Sequence, residues 1–172
     1  MTRPDDFSLP ALYAALDAQR QARGLSWAQV AREINRNPVR PARRRLSSST
    51  VTGTRFRRVA EGDGVLQMLL WLDRTPESFV PGHPTAKGAS EALVRPSAQG
   101  VLRFDTRKLH GALDAQRTER EMTWAQVARE VGLAASSLTH LSKGGRTGFP
   151  DVMRMVKWVG RPASTFTRVS DY

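Results

Sequence analysis

The sequence predicts an all-α protein of two tandem helical bundles, each with four to five helices, related by a pseudo-two-fold axis. The segment from Leu12 to Asn35 recurs at a shift of 97 between Leu109 and Gly132, with ALDAQR and WAQVARE unchanged. Apolar residues follow helical spacing between residues typical of helix ends. No segment alternates apolar and polar residues over the length of a strand, so no sheet is predicted.

The repeat defines the predicted domain organisation. After an insertion in the first copy the shift falls to 87, and matches continue almost to the end of the chain. We therefore expect a first repeat at residues 7–80, a linker at 81–104 and a second repeat at 105–169. The linker is rich in Pro, Gly, Ser and Ala, with a short helix expected at Ser90 to Val94.

Helix ends are predicted in the same places in both repeats. The first helix should run to Arg23, with Ser8 as its N-cap. Ser26, with Gln three residues later, predicts a capping box at the next helix, and the second repeat carries the same pattern. Further helices are expected at 63–72 and 149–159, each followed by a short closing element.

The four tryptophans occupy two pairs of matching positions. Trp27 and Trp124, which open the second helix of each repeat, are expected to pack against the first helix. An indole N–H bonded to a phosphate is the alternative. Trp71 and Trp158 are expected in the core.

One stretch of the second repeat carries a family pattern, and it runs from Met122 to Gly144 without a gap. The matching residues are Thr123, Gln126, Val127, Ala128, Gly132, Leu133, Ser137, Leu138, Leu141 and Gly144. This stretch resembles the helix-turn-helix of the Cro/repressor (XRE, lambda-repressor-like) family. Ala128 suits a close crossing of the next helix, and Gly132 suits a turn with positive φ. The resemblance implies lambda-repressor-like bundles that bind duplex DNA.

The first repeat departs from this pattern at residues 36–46, where a long basic loop replaces the tight turn. The third helix is then expected from Ser47 to Arg58. Eight arginines and no acidic residue lie between Glu33 and Glu61: Arg36, Arg40, Arg43, Arg44, Arg45, Arg55, Arg57 and Arg58. Such an arm is suited to phosphates or to a minor groove. A solvated loop of a basic protein is the alternative.

The resemblance implies that the third helix of each repeat faces the major groove. In the first repeat the matching residues are Ser47, Ser48, Ser49, Thr52 and Gly53. In the second they are Ala134, Ala135, Ser136, Thr139 and His140, followed by the basic Lys143 and Arg146. Because most of these side chains are short, we expect modest base discrimination and a large contribution from phosphate contacts. His140 has the longest reach, although an ordinary exposed helix residue is the alternative.

Composition favours a polyanionic partner. The chain has 172 residues, a net charge of +11 and a pI of about 11.4. It has no cysteine, and its three histidines lack metal-site spacing, so no metal, cofactor or catalytic site is predicted. It contains no apolar run that would span a bilayer and no signal peptide, so a cytoplasmic protein without a membrane partner is expected. No small-molecule partner is evident.

These observations predict a transcriptional regulator that binds double-stranded DNA, as a monomer with an internal pseudo-dimer or as a homodimer. Two alternatives remain: an interaction module whose degenerate helix-turn-helix units pack against each other or a protein, and a nonspecific nucleic-acid binder. RNA binding through the arginine-rich arm is a weaker possibility. Exposure of the third helices favours DNA binding, and their burial favours the interaction module.

Overall fold

The computed structural model describes residues 3–36, 45–82, 92–97 and 99–171. The first repeat contains α1 (Leu9–Ala22), α2 (Trp27–Arg36), α3 (Ser48–Gly53) and α4 (Gly62–Leu72). The second contains α5 (Thr106–Glu119), α6 (Trp124–Val131), α7 (Ala135–His140) and α8 (Asp151–Val159). Short 3₁₀ turns lie at Pro76–Phe79, Leu141–Lys143 and Ala163–Phe166. The strands are β1 (Ala60–Glu61), β2 (Gly100–Phe104), β3 (Gly148–Phe149) and β4 (Thr167–Asp171).

The prediction of an all-α fold of two tandem helical bundles is wrong, because the protein contains two small antiparallel sheets. Helices hold about 59% of the described residues and strands 9%. β1 pairs with β3, and β2 pairs with β4. β2 buries the consecutive residues Val101 and Leu102, so it shows no alternation, and β1 and β3 have only two residues each. Such strands leave no period-two signal in a sequence.

Two other expectations also need correction. β2 lies inside the predicted linker, and residues 92–94, the described part of the expected linker helix, are not helical; the rest of that helix lies outside the described residues. The third helix of the first repeat ends at Gly53 and does not continue to Arg58. Residues 55–58 are three arginines and an exposed phenylalanine, so nothing in this stretch would bury a helix face against the core.

The predicted N-cap at Ser8 and the two predicted capping boxes are confirmed. The helix expected from residue 149 instead begins at Asp151, because Phe149 pairs with Ala60 in β3. Ser8 Oγ accepts from the backbone N–H of Ala11 at 3.2 Å. Both capping boxes form: in the second repeat Thr123 Oγ1 accepts from the N–H of Gln126 at 3.2 Å, and the Gln126 side chain accepts in return at 2.7 Å. The box of the first repeat has the same two distances. These signals are local, so the sequence alone predicts them.

The buried apolar side chains of both repeats form one contiguous core. Phe149 is fully buried in this core, and the centroid of its ring lies 4.5 Å from that of Phe7 and 5.5 Å from that of Phe104. Phe7 and Phe104 are counterparts at the shift of 97. Trp71 and Trp158 are half-buried at the edge of this core, not inside it as predicted, because each directs its indole N–H to a glutamate near the surface.

The β1–β3 pair lies on the approximate two-fold axis between the repeats. In its register Glu61 faces Gly148, and these two residues are counterparts at the shift of 87. A residue paired antiparallel with its own counterpart has a local two-fold axis between the two strands. The repeats are therefore joined head to head by equivalent surfaces.

Each repeat also receives, on its fourth helix, a segment of the sequence that precedes the other repeat. β2 lies on α4, where Gln67 Nε2 donates to the Leu102 carbonyl at 2.9 Å. The N-terminal segment reaches α8, where Arg154 donates to Asp6 at 2.6 and 2.8 Å. Gln67 and Arg154 are counterparts. This reciprocal arrangement fixes the orientation of the two repeats.

One position at the axis breaks the repeat symmetry. The counterpart of Phe149 in the first repeat is Gly62. A Cβ at Gly62 would lie 2.8 Å from the Thr147 carbonyl oxygen and 3.0 Å from the Phe104 ring. The Gly62 N–H also donates to that carbonyl at 2.8 Å, so the backbones cannot separate freely. Only one of the two equivalent positions has room for a side chain.

We expect Gly62→Ala to lower the free energy of unfolding by about 1–3 kcal/mol, because the added methyl group overpacks a rigid contact. Denaturant unfolding measures this loss. Gly111→Ala is the matched control: Gly111 lies in α5, where an added Cβ would have no neighbour within 4 Å. Gly111→Ala should be neutral or stabilising, since alanine has a higher helix propensity than glycine. Equal stability of Gly62→Ala and the wild type would contradict the tight contact.

Candidate nucleic-acid interface

In the second repeat, α6 and α7 are joined by a tight turn. Gly132 adopts φ +80° and its N–H donates to the Ala128 carbonyl at 2.8 Å, as expected for a glycine in the left-handed conformation at the C-terminal end of an α-helix. Leu138 and Leu141 are buried on the inner side of the following helix. The outer side is exposed and polar; it carries Ser136, Ser137, Thr139 and His140.

In the first repeat, Asn35 occupies the position of Gly132, and the insertion follows it. Asn35 Nδ2 donates to the Leu46 carbonyl, and Asn35 Oδ1 accepts from the Leu46 N–H, both at 2.8 Å. This two-point contact holds the ends of the insertion together at the start of α3. The arm arginines Arg40, Arg43 and Arg44 lie outside the described residues.

The serines that begin α3 bond among themselves. Ser47 is the N-cap and accepts from the Thr50 N–H at 3.1 Å. Its hydroxyl lies 2.8 Å from Ser49 Oγ and 2.9 Å from Thr50 Oγ1. Ser47 and Ser49 are exposed, whereas Ser48 is half-buried. Ser47, one of the predicted base-contacting residues, is thus also the residue that caps the start of α3.

The remaining predicted site residues differ in exposure. Three are half-buried: Thr52, Gly53 and Ala135, of which Ala135 packs against the core. The others among the described residues are exposed: Arg36, Arg45, Arg55, Arg57, Arg58, Ala134, Ser136, Thr139, His140, Lys143 and Arg146. Thr139 Oγ1 donates back to carbonyls of its own helix at 3.3 Å. Arg146 lies 3.4 Å from Glu61 of the first repeat, a contact that the sequence did not predict.

A stack of rings and guanidinium groups supports the start of the second helix in each repeat. Trp27 stacks on Tyr13 with centroids 5.4 Å apart, and the Arg20 guanidinium lies 5.0 Å from the Trp27 ring. In the second repeat, Trp124 stacks on His110 at 5.1 Å. Both tryptophans thus pack against the first helix, as predicted. Sequence reasoning missed Tyr13 and His110, although the shift of 97 pairs them with each other.

The repeated ALDAQR motif holds that stack in place. Arg20 Nε donates to Asp17 at 2.8 Å, and Arg20 also donates to the Leu25 carbonyl at 2.9 Å. Arg117 makes the same two contacts, at 2.9 Å each, with Asp114 and the Met122 carbonyl. Asp17–Arg20 and Asp114–Arg117 are thus i,i+3 ion pairs, and the two arginines tie the first helix to the turn before the second helix.

The strand pair on the two-fold axis lies close to both third helices. Chain length limits the distance from Gly53 to Ala60 to about 25 Å and that from Lys143 to Gly148 to about 18 Å. The carboxyl ends of the two third-helix segments are therefore at most about 50 Å apart, allowing for one interstrand spacing. That limit includes the ~34 Å between successive major grooves on one face of a duplex.

Comparison of the chain with protein-family models, with curated proteins and with solved structures gave no match. Among the described ranges, no helix has the length and apolar character needed to cross a membrane. In the same part of the chain, no three His, Asp or Glu side chains lie together in an arrangement that would hold a metal ion.

Proposed function

We propose that this protein binds double-stranded DNA as a transcriptional regulator, with α2–α3 and α6–α7 acting as two helix-turn-helix units. The proposal rests on the resemblance of residues 122–144 to the Cro/repressor-type motif and on one structural observation. The outer side of α7 is exposed and polar, whereas on α3 Ser49 is exposed and Ser48, Thr50, Thr52 and Gly53 are half-buried. The main contacts of α3 and of α7 are with elements of their own repeat. Burial of these helices, the arrangement that favours the interaction module, is not seen.

The charge distribution supports the same proposal. The net charge is +11, and exposed cations follow each third helix: Arg55, Arg57 and Arg58 after α3, and Lys143 and Arg146 after α7. Phosphate contacts from such residues provide affinity for any duplex sequence. The hydroxyls on α3 and α7 are short, so we expect a weak preference among bases and a bipartite site with unlike halves, one for each repeat.

Selection of genomic DNA fragments by the purified chain, followed by sequencing and repeated over a series of salt concentrations, tests this function. Enrichment of a bipartite motif would support a sequence-specific regulator. Salt-sensitive retention without an enriched motif would support the nonspecific binder instead. No retention on any duplex, even at low salt, would contradict the proposal.

We expect the double variant Arg57→Ala/Arg58→Ala to bind duplex DNA more weakly and to lower the slope of log K against log salt by about 1.8, since each lost phosphate contact removes ~0.9. Fluorescence anisotropy over a salt series measures this slope. The double variant Arg161→Ala/Arg168→Ala is the matched control, because it removes equal charge from exposed positions outside both third-helix segments. Equal slopes for the two variants would contradict a local role for Arg57 and Arg58.

A further inference from the structure

The most exposed large apolar side chain among the described residues is Phe56. It is 81% exposed, whereas Val94, Val59 and Val169 range from 61% down to 44%. It lies in the turn between α3 and β1, with Arg55 before it and Arg57 and Arg58 after it. A ring this exposed contributes little to the core, so its position needs another explanation.

The Phe56 ring is in contact with a series of neighbouring side chains. The Arg55 guanidinium lies 5.2 Å from the centre of the Phe56 ring and 5.6 Å from that of Tyr13, within the range of cation–π contacts. Tyr13 in turn stacks on Trp27 at 5.4 Å. We call this series Phe56, Arg55, Tyr13 and Trp27 the aromatic column. It connects the exposed ring to α1 and α2 through side-chain contacts.

The surroundings of Phe56 are cationic. A Cβ at Gly53 would lie 3.3 Å from Arg57 Nε, so the Arg57 side chain folds over the end of α3. Glu61 is the first acidic residue after Phe56 in the chain, and its carboxylate faces Arg146 at 3.4 Å. An apolar ring among arginines fits a polyanion that also offers flat apolar surfaces, and stacked bases on a phosphate backbone have both properties.

The position of Phe56 in the fold indicates which part of a duplex it would meet. Phe56 lies four residues before Ala60, the first residue of β1, and β1 pairs with β3 on the approximate two-fold axis. When two recognition units occupy successive major grooves on one face, the minor groove between them faces the axis of the protein. The counterpart of Phe56 at the shift of 87 is Lys143, so only the first repeat presents a ring.

We propose that Phe56 inserts as a wedge between two base pairs from the minor groove, at the centre of the site, and kinks the duplex there. This inference rests on the proposed function. Arg57 and Arg58 contact the phosphates on either side, and the Arg55 guanidinium, 5.2 Å from the centre of the ring, supports the ring from the protein side. A pyrimidine–purine step is the preferred point of insertion because it unstacks most easily.

The test uses the full-length chain and a duplex enriched in the selection, with 2-aminopurine placed in turn at the central steps. Binding is followed by anisotropy, unstacking by 2-aminopurine fluorescence, and bending by energy transfer between dyes at the duplex ends. The wild type should raise the fluorescence at one central step and shorten the end-to-end distance. Phe56→Ala should lose both signals and bind about five- to 160-fold more weakly, the range expected for one lost stacking contact.

Two further variants make the result specific. Phe56→Leu keeps an apolar wedge and should retain part of the bend. Val94→Ala truncates an exposed apolar residue elsewhere and should behave as the wild type. If Phe56→Ala bent and unstacked the duplex as much as the wild type does, the wedge proposal would be wrong, but the proposed function of duplex binding would stand. Tighter, Phe56-dependent binding of single-stranded DNA or RNA would also overturn it, and absence of any duplex binding would overturn the proposed function as well.

Discussion

Replacement of Phe149 by alanine is expected to lower the free energy of unfolding by about 3–5 kcal/mol, the usual cost of removing a fully buried ring. Phe149 is fully buried and contacts both Phe7 and Phe104, the residues that lead into the two repeats. The change therefore leaves a cavity where the repeats meet. Because both repeats share one core, the wild type and the variant should each unfold in a single transition.

Denaturant unfolding followed by circular dichroism and by tryptophan fluorescence measures this effect. Phe56→Ala is the matched control, since it removes the same group from a ring that is 81% exposed, and it should change stability by less than about 0.5 kcal/mol. Two separate transitions in the wild type, or equal stability of the two variants, would show that the repeats do not depend on this ring. Under the proposed function, Phe149→Ala should also weaken binding to two half-sites more than binding to one, because the ring fixes the relative orientation of the units.

Replacement of Asp6 by asparagine is expected to lower the free energy of unfolding by about 3 kcal/mol, since it removes the carboxylate that compensates a largely buried guanidinium. The side chains of Asp6 and Arg154 are 3% and 13% exposed, and two hydrogen bonds of 2.6 and 2.8 Å join them. Arg154 also donates to the Gly132 carbonyl at 2.9 Å, at the turn between α6 and α7. The loss should therefore spread to the proposed second recognition unit.

The same pair makes stability depend on acid. Burial raises the pKa of Asp6, but the hydrogen bonds from Arg154 and from the Arg3 N–H together lower that pKa by more than burial raises it. The pKa of Asp6 therefore lies below its ordinary value in the folded protein. The unfolded chain then binds the proton more strongly. The contribution of Asp6 is complete above its unfolded pKa of about 3.9 and is lost as the pH falls through the lower folded value.

Unfolding measured over a pH series tests both parts of this prediction. Asp6→Asn should be less stable at neutral pH, and it should lose less additional stability than the wild type below about pH 4. Asp5→Asn is the control: its carboxylate contacts Lys157 at the exposed surface and should contribute little. If Asp6→Asn lost as much stability below about pH 4 as the wild type does, other carboxylates would be responsible for the acid sensitivity.

The candidate interface could be predicted only in part. The repeat and the turn at Gly132 locate α7, and the exposure of its polar side agrees with its hydroxyl-rich sequence. The sequence also predicted Trp27 against the first helix. It did not predict the aromatic column, because Arg55 was expected inside a helix that in fact ends at Gly53. Nor did it predict that Ser47 and Ser49 bond to each other, a matter of side-chain geometry at a helix start.

The sequence by itself determined the features that depend on neighbouring residues: the repeated helices, the capping boxes, the left-handed turn at Gly132 and the i,i+3 ion pairs. Each requires contacts within a few residues, which a local pattern records. Only the tertiary structure decided that the repeats join through β1 and β3, that β2 lies on α4 and that Asp6 reaches Arg154. These partners are far apart in the chain, and a short buried strand or a single carboxylate has no sequence periodicity from which its partner could be predicted.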